Sequence, residues 1–373
     1  MIHLSRPCIG DEEIHAVTNV LKSGWLNSGQ SVKTFEDAFA KYIGVTYAVA
    51  VNSCTSALQL AIQAQGLKGE IILPSFTFVA SVNAIINAGC VPRFVDIEYE
   101  SCTINPNRIE KAISHKTVAI MPVHYAGRGC DMEQIMNIAR RHNLTVIEDS
   151  AQAIGATYRG RKTGSFGIGC FSFFPTKNMT CGEGGMITLN DKSLTKKIRA
   201  YSSHGIEKAA HSLPWHREAH YVGYNFRMSN IVAALGHVQL EKLDAMNRRR
   251  REHAAYLNEH LKDVECIKLP HDVDSNSYHV YQMYTIKVDC KYINRNDFIK
   301  ELRADGVEAS VHFDPPLHKQ CIYKRYMHQS DDLSVTEDVS GSIVTIPLYP
   351  HMTNEMRVEI VSKIKQRAHA LQR

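Results

Sequence analysis

The chain has 373 residues, 44% hydrophobic and 22% charged, the composition of a soluble globular protein too long for one small domain. A formal net charge of +5 is small for that length and gives no footing for a nucleic-acid function. The ten cysteines form no CxxC pair, which excludes a zinc ribbon or thioredoxin-type motif and points to thiols kept reduced in a cytoplasmic setting.

The opening MIHLSRPCIGDEEIHAV lacks a basic segment followed by an apolar core, so no signal peptide is expected. No apolar run approaches the ~18 residues that a membrane span needs. From residue 47 short apolar runs alternate with amphipathic ones. YAVAVN (47–52) reads as a buried strand and TSALQLAIQAQ (55–65) as the helix after it. EIILP (70–74) is a second strand, followed by helix-like FVASVNAIINAG. VPRFVDI (91–97) is a third and TVAIMPVHY (117–125) a fourth, with a helical stretch from Pro106 between them. DMEQIMNIARRHN is again helical, and LTVIED (144–149) is again a strand. Near-continuous apolar strands alternating with helices predict a mostly parallel sheet with helices on both faces. In such sheets ligands bind beyond the carboxyl ends of the strands.

The pattern changes after residue 155. Eight of the 22 glycines fall between Gly155 and Gly185, which predicts tight turns or close backbone approach. A long helical pattern then runs from Ser229 to about Leu261 and joins two domains, a large one over 1–245 and a smaller α+β one over 246–373. In the second, YHVYQMYTIKV (278–288) reads as a strand and RNDFIKELRADG as a helix.

Several motifs carry less than they suggest. GATYRGRKT (155–163) resembles a phosphate-binding loop, but Arg161 stands where that motif needs lysine, and no strand leads directly into it. NRRRREH (247–253) reads as the solvated face of a long helix. His312 and His318 flank FDPPL without a ligand set around them, so no metal site is expected there.

Three features converge on the strand ends. In NSCTSAL, small polar residues open a helix after a strand, an arrangement suited either to helix capping by Ser53 or Thr55 or to holding a phosphate. In VIEDSAQ, Asp149 ends an apolar strand and Gln152 follows, either as a cap or as an acid that meets a ligand. In CFSFFPTKNMTCGEGG, Lys177 sits between an aromatic run and glycines, where a disfavoured ammonium makes a better nucleophile toward a carbonyl. Together they suit a ligand with a phosphate, a cationic ring nitrogen and an aldehyde, which describes pyridoxal 5'-phosphate.

PSFTFVAS, EDSAQAIGA, FSFFPTKNMTCGEGG and GYNFRMSNIVAALG occur in this order, and the set resembles the DegT/StrS family of sugar-nucleotide aminotransferases, pyridoxal-phosphate enzymes of fold type I. The likeness runs from SRPCIGDEEI to at least VHFDPPLH. It implies that Lys177 carries the cofactor and shuttles protons, and that Asp149 pairs with the ring nitrogen. It places Gln152 at the ring hydroxyl, Phe78 on the ring face, and Thr55, Ser56 and Ser172 at the phosphate. Asn225 would reach the phosphate of the neighbouring subunit, which implies a homodimer with shared sites. His312 stands where the family tends to put a histidine near the substrate. Trp215 and His216, in the loop KAAHSLPWHREAHY (208–221), and His318 are further substrate-side candidates. Cys54 departs from the glycine or alanine expected there. The implied activity is transfer of an amino group, from glutamate, to a nucleotide-linked keto sugar, a 4-keto hexose being the commonest acceptor, for amino-sugar and polysaccharide synthesis. The dehydratase branch of the family carries histidine where Lys177 stands, and a non-catalytic regulatory relative would lose Lys177 or Asp149. Both residues are present.

Overall fold

A computed structural model of the chain describes residues 1–207, 213, 215–270, 276–328 and 332–371. Its centre is a seven-stranded sheet of β1 (Tyr47–Val51), β2 (Glu70–Pro74), β3 (Val91–Val95), β4 (Thr117–Ile120), β5 (Thr145–Asp149), β6 (Ile168–Ser172) and β7 (Gly185–Leu189). The spatial order is β1-β7-β6-β5-β4-β2-β3. Only β7 runs against its neighbours, and the other four pairings are parallel. Alternate residues of each strand serve opposite faces. Leu73, Ile147 and Cys170 pack with the helices Cys54–Gln65 and Val79–Asn87 on one side. On the other, Ile72, Ile120 and Val146 meet the helix Met132–Arg141. On that same side Phe171 meets Phe35 and Phe39 of the helix Gln30–Ile43.

The long predicted helix spans Asn230–Leu261, and the Ser229 hydroxyl caps it by accepting the Val232 N–H at 3.3 Å. Its first half, through Met246, packs into the Phe35–Phe39 cluster. Its second half, Ala254 to Leu261, enters another core with strands β8 (Ile267–Lys268), β9 (Tyr284–Val288) and β10 (Ile343–Ile346). Those three form an antiparallel sheet in the order β8-β9-β10. Ile2 belongs to the same core, through a bridge to Val307.

Two sequence expectations are corrected. Residues 278–288 do not form one strand: Ser277–Tyr278 pairs with Thr157–Tyr158, and only Tyr284–Val288 joins β10. The break falls at Tyr281, whose φ of 43° no strand tolerates and whose N–H is taken by His279 Nδ1 at 2.8 Å. The NRRRREH face is also only half solvated. Asn247, Arg250 and His253 are buried, and the Arg250 guanidinium donates to the Leu348 carbonyl at 3.0 Å.

Phe39 is fully buried among Phe35, Phe171 and Phe173, with ring centres 5.0–5.9 Å away. Phe39→Ala should therefore cost about 3–5 kcal/mol of stability, read as a lower urea midpoint. An unchanged midpoint would mean that this aromatic cluster does not hold its helix to the sheet.

Candidate active site

The carboxyl ends of β5 and β6 bring Asp149 and Lys177 into electrostatic reach of one another. Asp149 is the last residue of β5 and is buried. Its Oδ2 accepts the Ser81 hydroxyl at 2.7 Å, and its Oδ1 accepts the Ala151 N–H at 3.2 Å. Burial pushes the carboxyl pKa up, and these two bonds with the Lys177 charge only partly restore it. Lys177 follows β6 in the loop to β7 and is half-buried, its N–H bonded to the Phe174 carbonyl at 2.9 Å. Burial holds its ammonium below the usual lysine range, against the attraction of Asp149. His312 is within electrostatic reach of Lys177. Burial, reinforced by the Lys177 charge, pushes its imidazole down to about 4, and its Nδ1 lies 2.8 Å from the Thr345 hydroxyl.

The small polar residues assemble beside this pair. Ser53 caps the helix Cys54–Gln65, its Oγ accepting the Ser56 N–H at 3.1 Å and lying 3.0 Å from the Ser56 hydroxyl. Ser172 ends β6 directly opposite Gly185. A Cβ on Gly185 would stand 2.4 Å from the Ser53 carbonyl carbon and 2.7 Å from the Cys54 nitrogen. Glycine there lets β7 run against the helix start, which draws Thr55, Ser56 and Ser172 together. Cys54 is buried, and burial raises its thiol far above the usual range, so it stays neutral.

Gln152 is buried with its Oε1 accepting the Ala126 N–H at 2.8 Å, so its amide NH2 is the end it can offer. Phe78 is 60% exposed at the start of the helix Val79–Asn87, three residues before Ser81. Asn225 is exposed on a segment that extends the sheet edge, beside Ser203 and next to Phe226, whose carbonyl accepts the Asn52 N–H at 2.9 Å. Trp215 and His216 are exposed, and residues 208–212 and 214 of their loop lie outside the described residues. His318 is placed differently from a substrate contact. Its ring is buried, with Nδ1 2.7 Å from the Ser75 hydroxyl and Nε2 3.0 Å from the Glu337 carboxylate, so both nitrogens are committed within the fold.

Sequence reasoning missed the residues that hold these loops. Asn247, inside the arginine run, accepts the Asn178 amide at 2.6 Å and donates to the Ile154 carbonyl at 3.1 Å. One buried side chain thus ties the loop after Asp149 to the loop of Lys177. Glu148 is fully buried and accepts the N–H groups of Gly164, Phe166 and Gly167, each at 2.8 Å. His124 Nδ1 accepts the Cys130 N–H at 3.0 Å, so its Nε2 proton faces Glu148 at 3.0 Å. Much of the glycine density after residue 155 serves this turn around Glu148.

The profile of the DegT/DnrJ/EryC1/StrS aminotransferase family matches residues 7–365. The chain belongs to that family. It is 38% identical over 373 residues to the spore coat polysaccharide biosynthesis protein SpsC of Bacillus subtilis, covering 97% of this chain and 95% of SpsC. The fold matches Helicobacter pylori PseC, an aminotransferase involved in the biosynthesis of pseudoaminic acid, at a TM-score of 0.94, with 28% identity and 99% of each chain covered. It matches the PLP-form of a putative sugar aminotransferase of Streptococcus pneumoniae at 0.93, with 26% identity and 99% of each chain covered. Family aminotransferases use pyridoxal phosphate, which is the cofactor of this chain, and the fold-type-I expectation is met.

Asn247→Ala should free the Ile154 and Asn178 loops together. Hydrogen exchange should rise in peptides covering 150–156 and 174–182, with the β2–β4 peptides unchanged. A rise across the whole sheet instead would assign Asn247 to general packing.

Proposed function

We propose that the chain is an aminotransferase that moves an amino group from glutamate onto a nucleotide-linked keto sugar, a 4-keto-6-deoxy hexose by preference. The observation that carries this reading is the pairing of a buried carboxylate with a half-buried lysine of depressed pKa at the carboxyl ends of adjacent strands. The donors suit the cofactor. Burial raises the proton affinity of Asp149, so its charge needs a cationic partner such as a protonated ring nitrogen. Gln152 has an NH2 to give a ring hydroxyl, and Phe78 presents an uncovered ring. Thr55, Ser56 and Ser172, with the first N–H groups of the helix Cys54–Gln65, suit a phosphate.

When bound, pyridoxal phosphate supplies an aldehyde that takes up nitrogen and a ring that withdraws electrons from the reacting carbon. Lys177, whose ammonium burial disfavours, would bond the cofactor's carbonyl carbon and, once released, would carry a proton from the amino-bearing carbon of the donor to that former carbonyl carbon. Asp149, whose charged form Ser81 and Ala151 favour, would pair with the protonated ring nitrogen. His312 is neutral at neutral pH and can accept or donate one hydrogen bond at the substrate without adding charge. Lys177 also stands against the dehydratase reading, in which a histidine takes its place.

We also assign a cytoplasmic homodimer in which Asn225 completes the partner's phosphate site, and a division near residue 245 within the long helix. The exposure of Asn225 at the sheet edge supports the first, and the two halves of the helix entering different cores support the second. No helix among the described residues is long and apolar enough to cross a membrane.

Purified protein loaded with the cofactor should be yellow, bleach on addition of glutamate, and aminate a member of a panel of 4-keto and 3-keto sugar nucleotides. No amination of any keto sugar nucleotide would remove the substrate assignment. Asp149→Asn keeps the shape but not the charge, and should lower turnover about a thousandfold, roughly 4 kcal/mol in the barrier. Near-normal turnover would place the ring-nitrogen partner elsewhere.

The shared site has its own test. Lys177→Ala and Asn225→Ala chains are mixed and allowed to exchange at limiting cofactor. A mixed dimer carries both defects in one site and neither in the other, so activity should recover toward about a quarter of wild type. Confirmed exchange without recovery would confine Asn225 to its own subunit.

A further inference from the structure

A second cavity lies between the turn after β4 and the small antiparallel sheet, backed by Ala126, whose N–H holds Gln152. It is narrow, with about 20 Å³ open to the centre of a water-sized molecule, and is lined by the buried residues Tyr125, Arg128, His279 and Lys287. Lys268 and Glu100 stand at the exposed rim. None of these lining side chains belongs to the candidate active site.

The charge balance of this cavity is unusual. Arg128 and Lys287 are each only 8% exposed, and neither forms an ion pair with a carboxylate among the described residues. The Arg128 guanidinium makes no hydrogen bond there either, although its backbone N–H does. Lys287 donates one proton to the Tyr99 carbonyl, and its ammonium and that of Lys268 lie 4.3 and 4.9 Å from the Tyr99 ring centre. Buried charges are ordinarily paired, because leaving water without a counter-charge is costly. Neutral donors face the same space. The Tyr125 hydroxyl is buried without a hydrogen-bond partner, although the Thr285 hydroxyl lies beside it. His279 Nδ1 accepts the Tyr281 N–H, so its Nε2 carries the proton. Among the described residues, Glu100 lines the rim, Glu98, exposed, is within electrostatic reach of Arg128 and Asp131, and Asp289 and Asp338 act on Tyr99.

We propose that this cavity binds a small oxyanion of the size and charge of inorganic phosphate, held by Arg128, Lys287 and the Tyr125 hydroxyl. A planar guanidinium, an ammonium and a phenol line one narrow space, and together they are a donor set that a tetrahedral oxyanion takes. The cavity is too narrow for a nucleoside. Arg128 belongs to the chain between β4 and β5, whereas Lys287 lies on β9, so the anion joins the large sheet to the second core. The consequence is a ligand-dependent link between the two parts of the molecule, separate from cofactor binding and independent of the sugar substrate.

The test uses protein saturated with pyridoxal phosphate, so that added anion does not report on the cofactor site. Thermal midpoints are measured against inorganic phosphate concentration, with sodium chloride holding ionic strength constant. Wild type should gain stability with phosphate, and Arg128→Gln should need at least tenfold more phosphate for the same gain. In phosphate-free buffer Arg128→Gln should be at least as stable as wild type, because it relieves an unpaired buried charge, and phosphate should invert that order. A purely structural arginine would leave the variant less stable at every phosphate concentration, which would overturn the proposal. So would an equal phosphate response in both proteins, or none in wild type. If Arg128→Gln does not fold, Lys268→Gln at the rim carries the test and must weaken the phosphate response without unfolding the chain. Uridine monophosphate should act equally on wild type and variant. An Arg128-dependent shift with that nucleotide would overturn the assignment to a free inorganic-sized anion.

Discussion

The structure turns on keeping a carboxylate chargeable where burial works against it. Asp149 and Lys177 sit at adjacent strand ends, and burial drives both toward their neutral forms. An effective desolvation penalty of several kcal/mol per ion would, left alone, neutralise the pair and remove its chemistry. The Ser81 hydroxyl and the Ala151 N–H oppose this, since a hydrogen bond to a charged group is worth about 1.5–3 kcal/mol. The two effects are of similar size. The Asp149 pKa therefore stays raised, with the hydrogen bonds and the Lys177 charge opposing the shift.

That arrangement depends on the residue before it. Successive side chains on a strand point to opposite faces, so Glu148 goes where Asp149 does not. Buried in the fold, Glu148 gathers three N–H groups of the Gly164–Gly167 turn and the His124 ring proton. Four donors around one side chain give a fully satisfied buried network, which rigidifies the end of β5. Gly167 and Gly169 fit against the Val146 carbonyl and the Thr188 hydroxyl, where a Cβ would stand 2.3 Å from each. Asp149 is held in place from the far side of its own strand.

How much of this was legible in the sequence varied with the range of the interaction. Strands such as EIILP were read to the residue because burial on both faces leaves an unbroken apolar run. TVAIMPVHY was read too long. The strand stops at Ile120, and Pro122, which has no N–H to pair, separates it from the turn Tyr125–Gly127. Asp149 and Lys177 were legible because a charged residue at the end of an apolar run is locally anomalous. Ser81 and Asn247 were not, because a serine in a helix and an asparagine before four arginines look like surface residues. Their importance comes from partners 68 and 69 residues away in the chain. His318 shows the reverse error. Its position beside FDPPL suggested a ligand, but Ser75 and Glu337, distant in sequence, take both ring nitrogens.

The long helix explains why the lysine loop and the second core form one mechanical unit. From the first half of the helix, Gln239 accepts the Thr180 N–H at 3.3 Å, and Asn247 accepts the Asn178 amide. From the chain leading into β9, the Val280 carbonyl takes the same Asn178 amide at 3.0 Å, and Gln282 donates to the Thr176 carbonyl at 2.9 Å. Thr176, Asn178 and Thr180 bracket Lys177, so four long-range hydrogen bonds fix the backbone on both sides of the lysine. Two of them come from the segment that continues into the second core. His312 approaches Lys177 while bonded to Thr345 of β10, in that same core. Val280 and Gln282 therefore link the lysine loop to the second core, while Gln239 and Asn247 tie the same loop to the large-sheet side and to the loop after Asp149. The lysine loop is thus held from both sides, with Asp149 on the large sheet and His312 bonded to the second core.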